Sequence, residues 1–214
     1  MKVNGKQIST LGATIDTTKD KVSVNGDEIR PPERVTLMLH KQSGIITSTH
    51  DTHDRLTVMD ILPRRFRDTG VFPVGRLDQG TEGLLVLTND GDLHHQVAHP
   101  RHETEKEYDA EVKGAPTRDA YRRFSEGILL DGKHTAPAEV ISVTPTGRTT
   151  VVKVVIKEGR KRQVRRMFET LGHPVVHLIR RRVGDLELGE LSSGEWRELT
   201  AEEIDLLAGR RGSA

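Results

Sequence analysis

Four carboxylic side chains cluster in one short stretch, GRLDQGTEGLLVLTNDGDL (residues 75–93). Asp78 and Glu82 precede the apolar run LLVLT, and Asp90 and Asp92 follow it. An ionised carboxylate can act as a nucleophile or a general base, and loops held by rigid strands commonly carry such groups. Asp78 occupies such a loop, but aspartate also caps turns. The local pattern alone favours the turn role for Asp78 over the catalytic one.

The other three acids have different explanations. Asp90 and Asp92 stand at the predicted start of a helix that Asn89 or Asp90 caps, where such side chains accept hydrogen bonds from unpaired N–H groups and aspartate suits the helix dipole. Glu82 lies four residues after Asp78, so a glycosidase-like pair of carboxylates is an alternative. Gly80 between them argues against a helical arrangement of that pair, and a glycosidase would also want aromatic sugar platforms. Only 3% of the residues are aromatic.

A second candidate for chemistry is the basic segment KRQVRRMFETL (residues 161–171). At about 100° per residue, four apolar residues form one core-facing stripe. They are Val164, Met167, Phe168 and Leu171. Arg162 and Arg166 lie nearly opposite that stripe, so we predict that they face solvent or phosphate. Arg165 lies at the border of the stripe, where its side chain can reach into a cleft and pair with a carboxylate.

Charge is distributed unevenly along the chain. The whole chain has a formal net charge of +1, whereas residues 157–182 contain nine basic and two acidic residues, 9 − 2 = +7. Such a local excess fits a polyanionic partner such as nucleic acid, although a solvated helix face has the same composition. The low aromatic content argues against a broad stacking platform for single-stranded RNA. Tyr108, one of two tyrosines, suits either core packing in a strand or a specific contact.

These residues must be positioned by a mixture of strands and helices. We predict strands at residues 35–39, 71–75, 84–89, 106–112, 149–158 and 175–179. We predict helices at residues 58–67, 92–98, 117–126 and 161–171, with another in TAEEIDLLAG (200–209) that begins with a capping box. Because strands and helices do not alternate regularly, we predict an α+β fold with a mixed, largely antiparallel sheet core and flanking helices.

The chain divides near residues 31–34, where Pro31 and Pro32 interrupt the pattern. Residues 1–33 form a small strand-rich unit, because two β-branched runs each carry an Asn-Gly hairpin signal. Residues 34–214 form the larger domain. With no cysteine and no long apolar run, disulfides, thiolate metal sites and membrane spans are not expected, and a reducing cytoplasm is compatible. The loosely spaced histidines at 94, 95, 99 and 102 predict a neutral helix-end cluster rather than a metal site.

Several segments taken together resemble one family. GRLDQGTEGLLVLTNDGDL, EKEYDAEVKG and EGRKRQVRRMFETLGHPVVHLIR, with GEWRELT near the end, are similar to the RsuA/RluB type of bacterial ribosomal RNA pseudouridine synthase. The resemblance covers about residues 34–200. A lone R-L-D motif has little meaning, but the ordered set with these spacings is specific.

The resemblance implies isomerisation of uridine to pseudouridine in ribosomal RNA, without a cofactor or a metal. Asp78 matches the catalytic aspartate, and Arg76 matches the arginine that supports the flipped nucleotide. Tyr108 matches the tyrosine that stacks on the base, and Arg165 matches the arginine that pairs with the catalytic carboxylate. An adjacent guanidinium would stabilise the ionised carboxylate that the reaction needs. The remaining candidates for RNA contact are Arg160, Lys161, Arg162, Arg166 and Arg180.

The implied partner is ribosomal RNA or a pre-ribosomal particle, and we expect a cytoplasmic monomer. Two departures from the family pattern stand out. The first 33 residues are similar only to the strand-rich second half of an RNA-binding domain of the ribosomal-protein S-four type, without its RNA-gripping helices. The usual NKPxG segment appears as HKQSG (residues 40–44). A non-catalytic RNA-binding or ribosome assembly factor is the alternative function.

Overall fold

The computed structural model describes residues 1–10, 12–16, 19–29 and 33–210. The chain forms two compact units, Met1–Arg34 and Val35–Ala214. The first contains a four-stranded antiparallel sheet of β1 (Lys2–Val3), β2 (Lys6–Gln7), β3 (Val22–Val24) and β4 (Asp27–Ile29), in the order β2-β1-β3-β4. Asn4 and Asn25 adopt positive φ angles of 50° and 54° before glycines, which confirms both predicted hairpins. Pro31 and Pro32 lie outside the described residues.

The second unit is built on a large sheet. The strands of this unit are β5 (Thr36–Lys41), β6 (Phe72–Val74), β7 (Glu82–Thr88), β8 (Lys106–Lys113), β9 (Leu129–Leu130), β10 (Lys133–His134), β11 (Glu139–Pro145), β12 (Thr149–Ile156), β13 (Val175–Val183), β14 (Leu186–Glu187) and β15 (Trp196–Glu198). Strands β9 and β10 form a separate two-stranded hairpin, and the others belong to the large sheet. The main sheet runs in the order β11-β12-β8-β13-β7-β5-β15, with β14 on β13 and β6 on β7. Among its described strand pairs, only β7 with β13 is parallel. The predicted α+β class is therefore confirmed.

Within the described residues of this unit, six helices flank the sheet: α1 (Val58–Ile61), α2 (Arg64–Arg67), α3 (Gly91–Ala98), α4 (Arg118–Glu126), α5 (Gln163–Thr170) and α6 (Ala201–Leu207). A short 3₁₀ turn (Pro100–His102) follows α3. Asp90 caps α3, and Thr200 with Glu203 forms the predicted capping box of α6. None of the helices within the described ranges is long and apolar enough to cross a membrane.

Two predicted helices needed correction. The single helix expected at residues 58–67 is two one-turn helices separated at Leu62 and Pro63. Proline lacks an N–H and disfavours helical geometry in the preceding residue, so it ends the first turn there. The helix expected from residue 161 begins at Gln163, because Arg162 takes a left-handed conformation with φ 53°.

The apolar run in residues 84–87 is buried on both faces of the sheet. Leu85 and Leu87 join one core cluster, whereas Leu84 and Val86 join another. Because side chains alternate along a strand, the two clusters cover opposite faces, and this explains an unbroken apolar sequence. The predicted stripe of α5 lies in the first cluster, where Phe168 stacks on Phe124 at a centroid distance of 4.6 Å.

Candidate active site

Asp78 lies in the loop that joins β6 to β7, beside a cleft of about 740 Å³. The side chain of Asp78 is half-buried, and no hydrogen bond or ion pair reaches its carboxylate from the described residues. The cleft is also lined by Arg76, Tyr108 and Arg180. Its size suits one nucleotide-sized group.

The backbone around Asp78 is fixed by a buried cation. Lys41 is fully buried at the end of β5, and its Nζ donates hydrogen bonds to the carbonyl oxygens of Gln42 (2.8 Å), Gln79 (3.2 Å) and Thr81 (2.9 Å). Burial lowers the pKa of Lys41 to about 8, although the nearby carboxylates of Glu82 and Asp78 oppose this shift. The ammonium group is therefore mostly charged at neutral pH, and it holds two carbonyls of the loop that follows Asp78.

A buried hydroxyl holds the residue before Asp78. Thr47 donates a hydrogen bond to the carbonyl of Leu77 (2.9 Å) and accepts one from its N–H (3.2 Å). On the other side of Asp78, the N–H of Gly44 donates to the carbonyl of Gln79 (2.9 Å). Each backbone neighbour of Asp78 is thus anchored, while the carboxylate itself faces the cleft. Sequence reasoning missed Lys41 and Thr47, whose only signal was their place in and just after the HKQSG segment.

Arg165 approaches the same loop from α5. Its guanidinium donates to the carbonyl oxygens of Gly80 (2.5 Å) and Val175 (3.2 Å). Its buried Nε has no hydrogen-bond partner within the described part of the chain. Burial and the nearby charge of Arg162 lower the pKa of Arg165, and the negative charge of Asp78 opposes this shift. The border position predicted for Arg165 is observed, but its guanidinium binds backbone carbonyls of the Asp78 loop and of β13 rather than forming a direct ion pair with Asp78.

Tyr108 lies in the middle of β8, directly opposite Val154 on β12 and Arg180 on β13. It is mostly buried, and its ring belongs to the core cluster while also lining the cleft. Tyr108 is therefore part of the core and also part of the cleft wall. Arg76, by contrast, is exposed in the Asp78 loop.

The predicted RNA-binding residues fall into two groups. Lys161 and Arg162 are exposed at the cleft, and no carboxylate within the described ranges pairs with either. Arg166 was predicted to face solvent or phosphate, but it binds both carboxylate oxygens of Asp131 (2.8 and 2.6 Å). The hydrogen bond from Arg166 lowers the pKa of Asp131, so this pair persists at neutral pH. Asp131 is 35 residues away, which is why the helical wheel could not reveal it.

Arg160 and Arg180 also differ from the prediction of a simple basic surface. Arg160 donates to the carbonyl oxygens of Lys133 (3.0 Å) and His134, and its Nε lies 3.3 Å from the carboxylate of Glu158. Arg180 is only 5% exposed, so it belongs to the wall of the cleft and not to the outer surface.

Much of the local positive charge is cancelled by nearby carboxylates. Of the nine basic residues between positions 157 and 182, five form ion pairs with acidic side chains: Lys157, Arg160, Arg166, Arg181 and Arg182. The other four lack a carboxylate partner among the described residues: Lys161, Arg162, Arg165 and Arg180. Three of these four line the cleft, and the fourth binds its loop. The unpaired positive charge of residues 157–182 therefore lies at the Asp78 cleft and its loop.

The other candidate groups lie apart from this chemistry. Glu82 hydrogen bonds to His177 (2.9 Å) and does not line the cleft, which argues against a carboxylate pair with Asp78. The rings of His95, His99 and His102 contact one another with centroid distances of 4.8–6.2 Å. No group of three or more possible metal ligands was found in the part of the chain that the structure describes.

Comparisons with known proteins agree with this arrangement. The sequence profile of the RNA pseudouridylate synthase family matches residues 35–170. The ribosomal large subunit pseudouridine synthase B of Bacillus subtilis is 40% identical over 212 residues, which cover 97% of this chain and 84% of that protein. An uncharacterised RNA pseudouridine synthase of Aquifex aeolicus is 36% identical over 208 residues, which cover 95% of this chain and 82% of that protein.

A solved structure extends the similarity to three dimensions. A crystal structure of a pseudouridylate synthase matches with a TM-score of 0.75 and 32% identity, covering 96% of this chain and 87% of that chain. The chain belongs to the RNA pseudouridine synthase family, in its RsuA/RluB type.

Proposed function

We propose that this enzyme converts uridine to pseudouridine in ribosomal RNA, with Asp78 as the catalytic carboxylate. One observation carries the assignment: the Asp78 carboxylate faces the cleft unpaired within the described residues, while the backbone on both sides of it is anchored. A group that is fixed in place but not engaged by the protein suits a reaction with a bound substrate.

The reaction breaks the bond between the sugar C1′ and the uracil N1 and forms a bond between C1′ and C5. The proton on C5 is released to solvent, and N1 gains a proton, so the conversion is an isomerisation. Asp78 either attacks the sugar carbon or removes the 2′ proton, and both routes need an ionised carboxylate. The cationic groups of Lys41 and Arg165 both lie close enough to Asp78 to interact with it electrostatically.

The target uridine must leave its base stack to reach Asp78. In our proposal Tyr108 stacks on the uracil inside the cleft, and Arg76 at the exposed side of the loop supports the displaced nucleotide. Lys161 and Arg162 contact the RNA backbone from the start of α5. Arg165 holds the loop through Gly80 and supplies charge to Asp78.

The proposed partner is ribosomal RNA, alone or in a pre-ribosomal particle, and it rests on the relative named as a ribosomal large subunit pseudouridine synthase. Such a substrate implies a cytoplasmic protein, which we propose acts as a monomer. Residues 1–33 are proposed to be the strand-rich part of an RNA-binding domain of the S-four type.

The proposal is tested by incubating the wild-type protein with ribosomal RNA transcripts labelled with tritium at C5 of uridine. We expect release of tritium to water, because the new bond forms at C5. If the protein bound these transcripts but released no tritium from the RNA of either ribosomal subunit, it would instead be a non-catalytic binding or assembly factor. The unpaired positive charge of the cleft is also compatible with that alternative.

Thr47→Val provides a separate prediction about the anchored loop. Valine keeps the shape of threonine but leaves the N–H and carbonyl of the buried Leu77 without their partner. A lost partner of this kind costs about 1–3 kcal/mol, and a displaced catalytic group lowers the rate further, so we expect kcat to fall roughly 10- to 100-fold. Thr47→Ser, which keeps the hydroxyl, should retain most of the activity. Steady-state tritium release measures both.

The matched control is Thr150→Val. Thr150 is equally buried, and its hydroxyl donates to the carbonyl of Gly114 (2.7 Å), away from the cleft. We expect a similar loss of thermal stability with an almost unchanged kcat. Equal rate losses in Thr47→Val and Thr150→Val would show that Thr47 contributes only to stability.

A further inference from the structure

Two basic side chains line the cleft on the same face of the sheet as Tyr108. Arg180 on β13 is directly opposite Tyr108 on β8. Lys106 lies two residues before Tyr108 on the same strand, and alternation along the strand directs both side chains to one face. All three side chains line the cleft that contains Asp78.

Neither Lys106 nor Arg180 has an acidic partner among the described residues. Arg180 uses its Nε to donate to the carbonyl of Leu84 (2.8 Å), and its two terminal amino groups make no hydrogen bond within the described chain. Lys106 makes neither a hydrogen bond nor an ion pair there. Burial, followed by repulsion from Arg180, lowers the pKa of Lys106, as expected for two like charges held together.

The opposite face of the same strands is arranged differently. There, Glu107 pairs with Lys153 (3.1 Å) and Arg182 (3.3 Å), and Asp109 pairs with Arg181 (2.7 Å). The carboxylates of β8 thus neutralise the bases on the outer face, whereas Lys106 and Arg180 on the cleft face form no ion pair with any described carboxylate. Charges removed from water without a counter-charge destabilise the folded protein. Such an arrangement suits an anion that arrives with the substrate.

The backbone fixes Arg180 firmly in this wall. Gly83 on β7 pairs with Arg180 in the parallel register and has a φ angle of 106°. A Cβ atom at Gly83 would lie 2.2 Å from the backbone carbonyl oxygen of Arg180 and 2.6 Å from its backbone nitrogen. Only glycine therefore fits this close approach of the two strands. The guanidinium is therefore presented from a rigid strand rather than from a loop.

We propose that Lys106 and Arg180 form an anion subsite that binds a backbone phosphodiester of the RNA beside the uridine presented to Asp78. The assignment rests on the proposed function for the identity of that uridine. A guanidinium with free terminal amino groups matches two phosphate oxygens, and an ammonium adds a point charge. A neutral uracil carbonyl would not offset two cations. The subsite would hold the strand while Tyr108 contacts the base.

The test measures RNA binding separately from turnover. In an Asp78→Asn background, the affinity for a fluorescein-labelled twelve-residue oligouridine is determined by anisotropy over a series of KCl concentrations. The same sequence with uncharged methylphosphonate linkages serves as the second probe. Lys106 is the better site for substitution, because truncation of Arg180 also removes the hydrogen bond to Leu84. Lys106→Met keeps the aliphatic stem, Lys106→Arg keeps the charge, and Lys153→Met removes a paired lysine from the outer face.

We expect Lys106→Met to weaken binding of the phosphodiester probe roughly tenfold and to reduce the slope of log affinity against log salt by about 0.7. Lys106→Arg and Lys153→Met should match the parent, and the methylphosphonate probe should not distinguish Lys106→Met from it. The subsite would be ruled out if Lys106→Met left the salt slope unchanged or lost equal affinity for both probes. It would also be ruled out if the parent protein did not bind oligouridine. Tritium release by the wild type reports independently on the proposed function, so either proposal can fail alone.

Discussion

Asp78→Asn is expected to bind RNA normally and to lose pseudouridine formation by on the order of 1,000-fold or more. Asparagine has nearly the same shape as aspartate, and the backbone anchors from Lys41 and Thr47 do not involve the side chain. The substitution therefore removes the ionised oxygen without disturbing the loop. Removal of a nucleophile or general base typically costs two to four orders of magnitude or more. Chromatography of nucleosides from digested RNA measures the product after prolonged incubation.

The control for this prediction is RNA affinity, which should change by less than about threefold because Asp78 is an acid in a basic cleft. If Asp78→Asn lost binding and product formation in parallel, the residue would have a structural role. The turn-capping function that the local sequence favoured would then be correct.

Arg165→Ala is expected to lower kcat roughly 100-fold, whereas Arg162→Ala should lower it less than about threefold. Arg165 is half-buried, holds the carbonyls of Gly80 and Val175, and interacts electrostatically with Asp78. Its removal frees the Asp78 loop and removes a nearby positive charge, and a small displacement of a reacting group is enough for a loss of this size. Arg162 is exposed, and its side chain has no ion pair with the described residues.

The two arginines also differ in the kinetic constant that should respond. Arg162→Ala should act mainly on KM and on the salt dependence of binding, as expected for a phosphate contact. Arg165→Ala should act mainly on kcat, with Arg165→Lys retaining part of the activity through one hydrogen bond to the loop. Steady-state tritium release at several RNA concentrations separates these effects. Equal losses of kcat in both alanine variants would contradict the role given to Arg165.

Local sequence features predicted most elements of the fold. The Asn-Gly hairpins, the cap at Asp90 and the capping box at Thr200 depend on nearby residues, and all are present. The break at Pro63 was missed because the apolar spacing continues through it, although proline cannot continue the hydrogen-bond pattern. The order of the strands depends on contacts distant in sequence, which no local pattern specifies.

The candidate site was harder to predict from local patterns. The residues around Asp78 favoured a turn, and only the distant EKEY and RQVRR segments pointed to catalysis. Partners far apart in sequence also changed the interpretation of the bases. Asp131 binds Arg166, and the strand register buries Arg180 beside Tyr108. The sequence did not indicate a role for Lys41, because a lysine in a loop motif is usually exposed. In the structure its side chain is buried, and its ammonium group donates hydrogen bonds to three carbonyl oxygens.

The most direct test compares the four acids of residues 75–93 in one experiment. Asp78→Asn, Glu82→Gln, Asp90→Asn and Asp92→Asn are each mixed in excess with tritium-labelled ribosomal RNA, and single-turnover release is followed at matched RNA occupancy. We expect wild-type rates within about fivefold for the last three, because Glu82 pairs with His177 and Asp90 caps a helix. Only Asp78→Asn should lose tritium release, by on the order of 1,000-fold or more. Release by Asp78→Asn within tenfold of the wild type would contradict the assignment of Asp78 as the catalytic carboxylate.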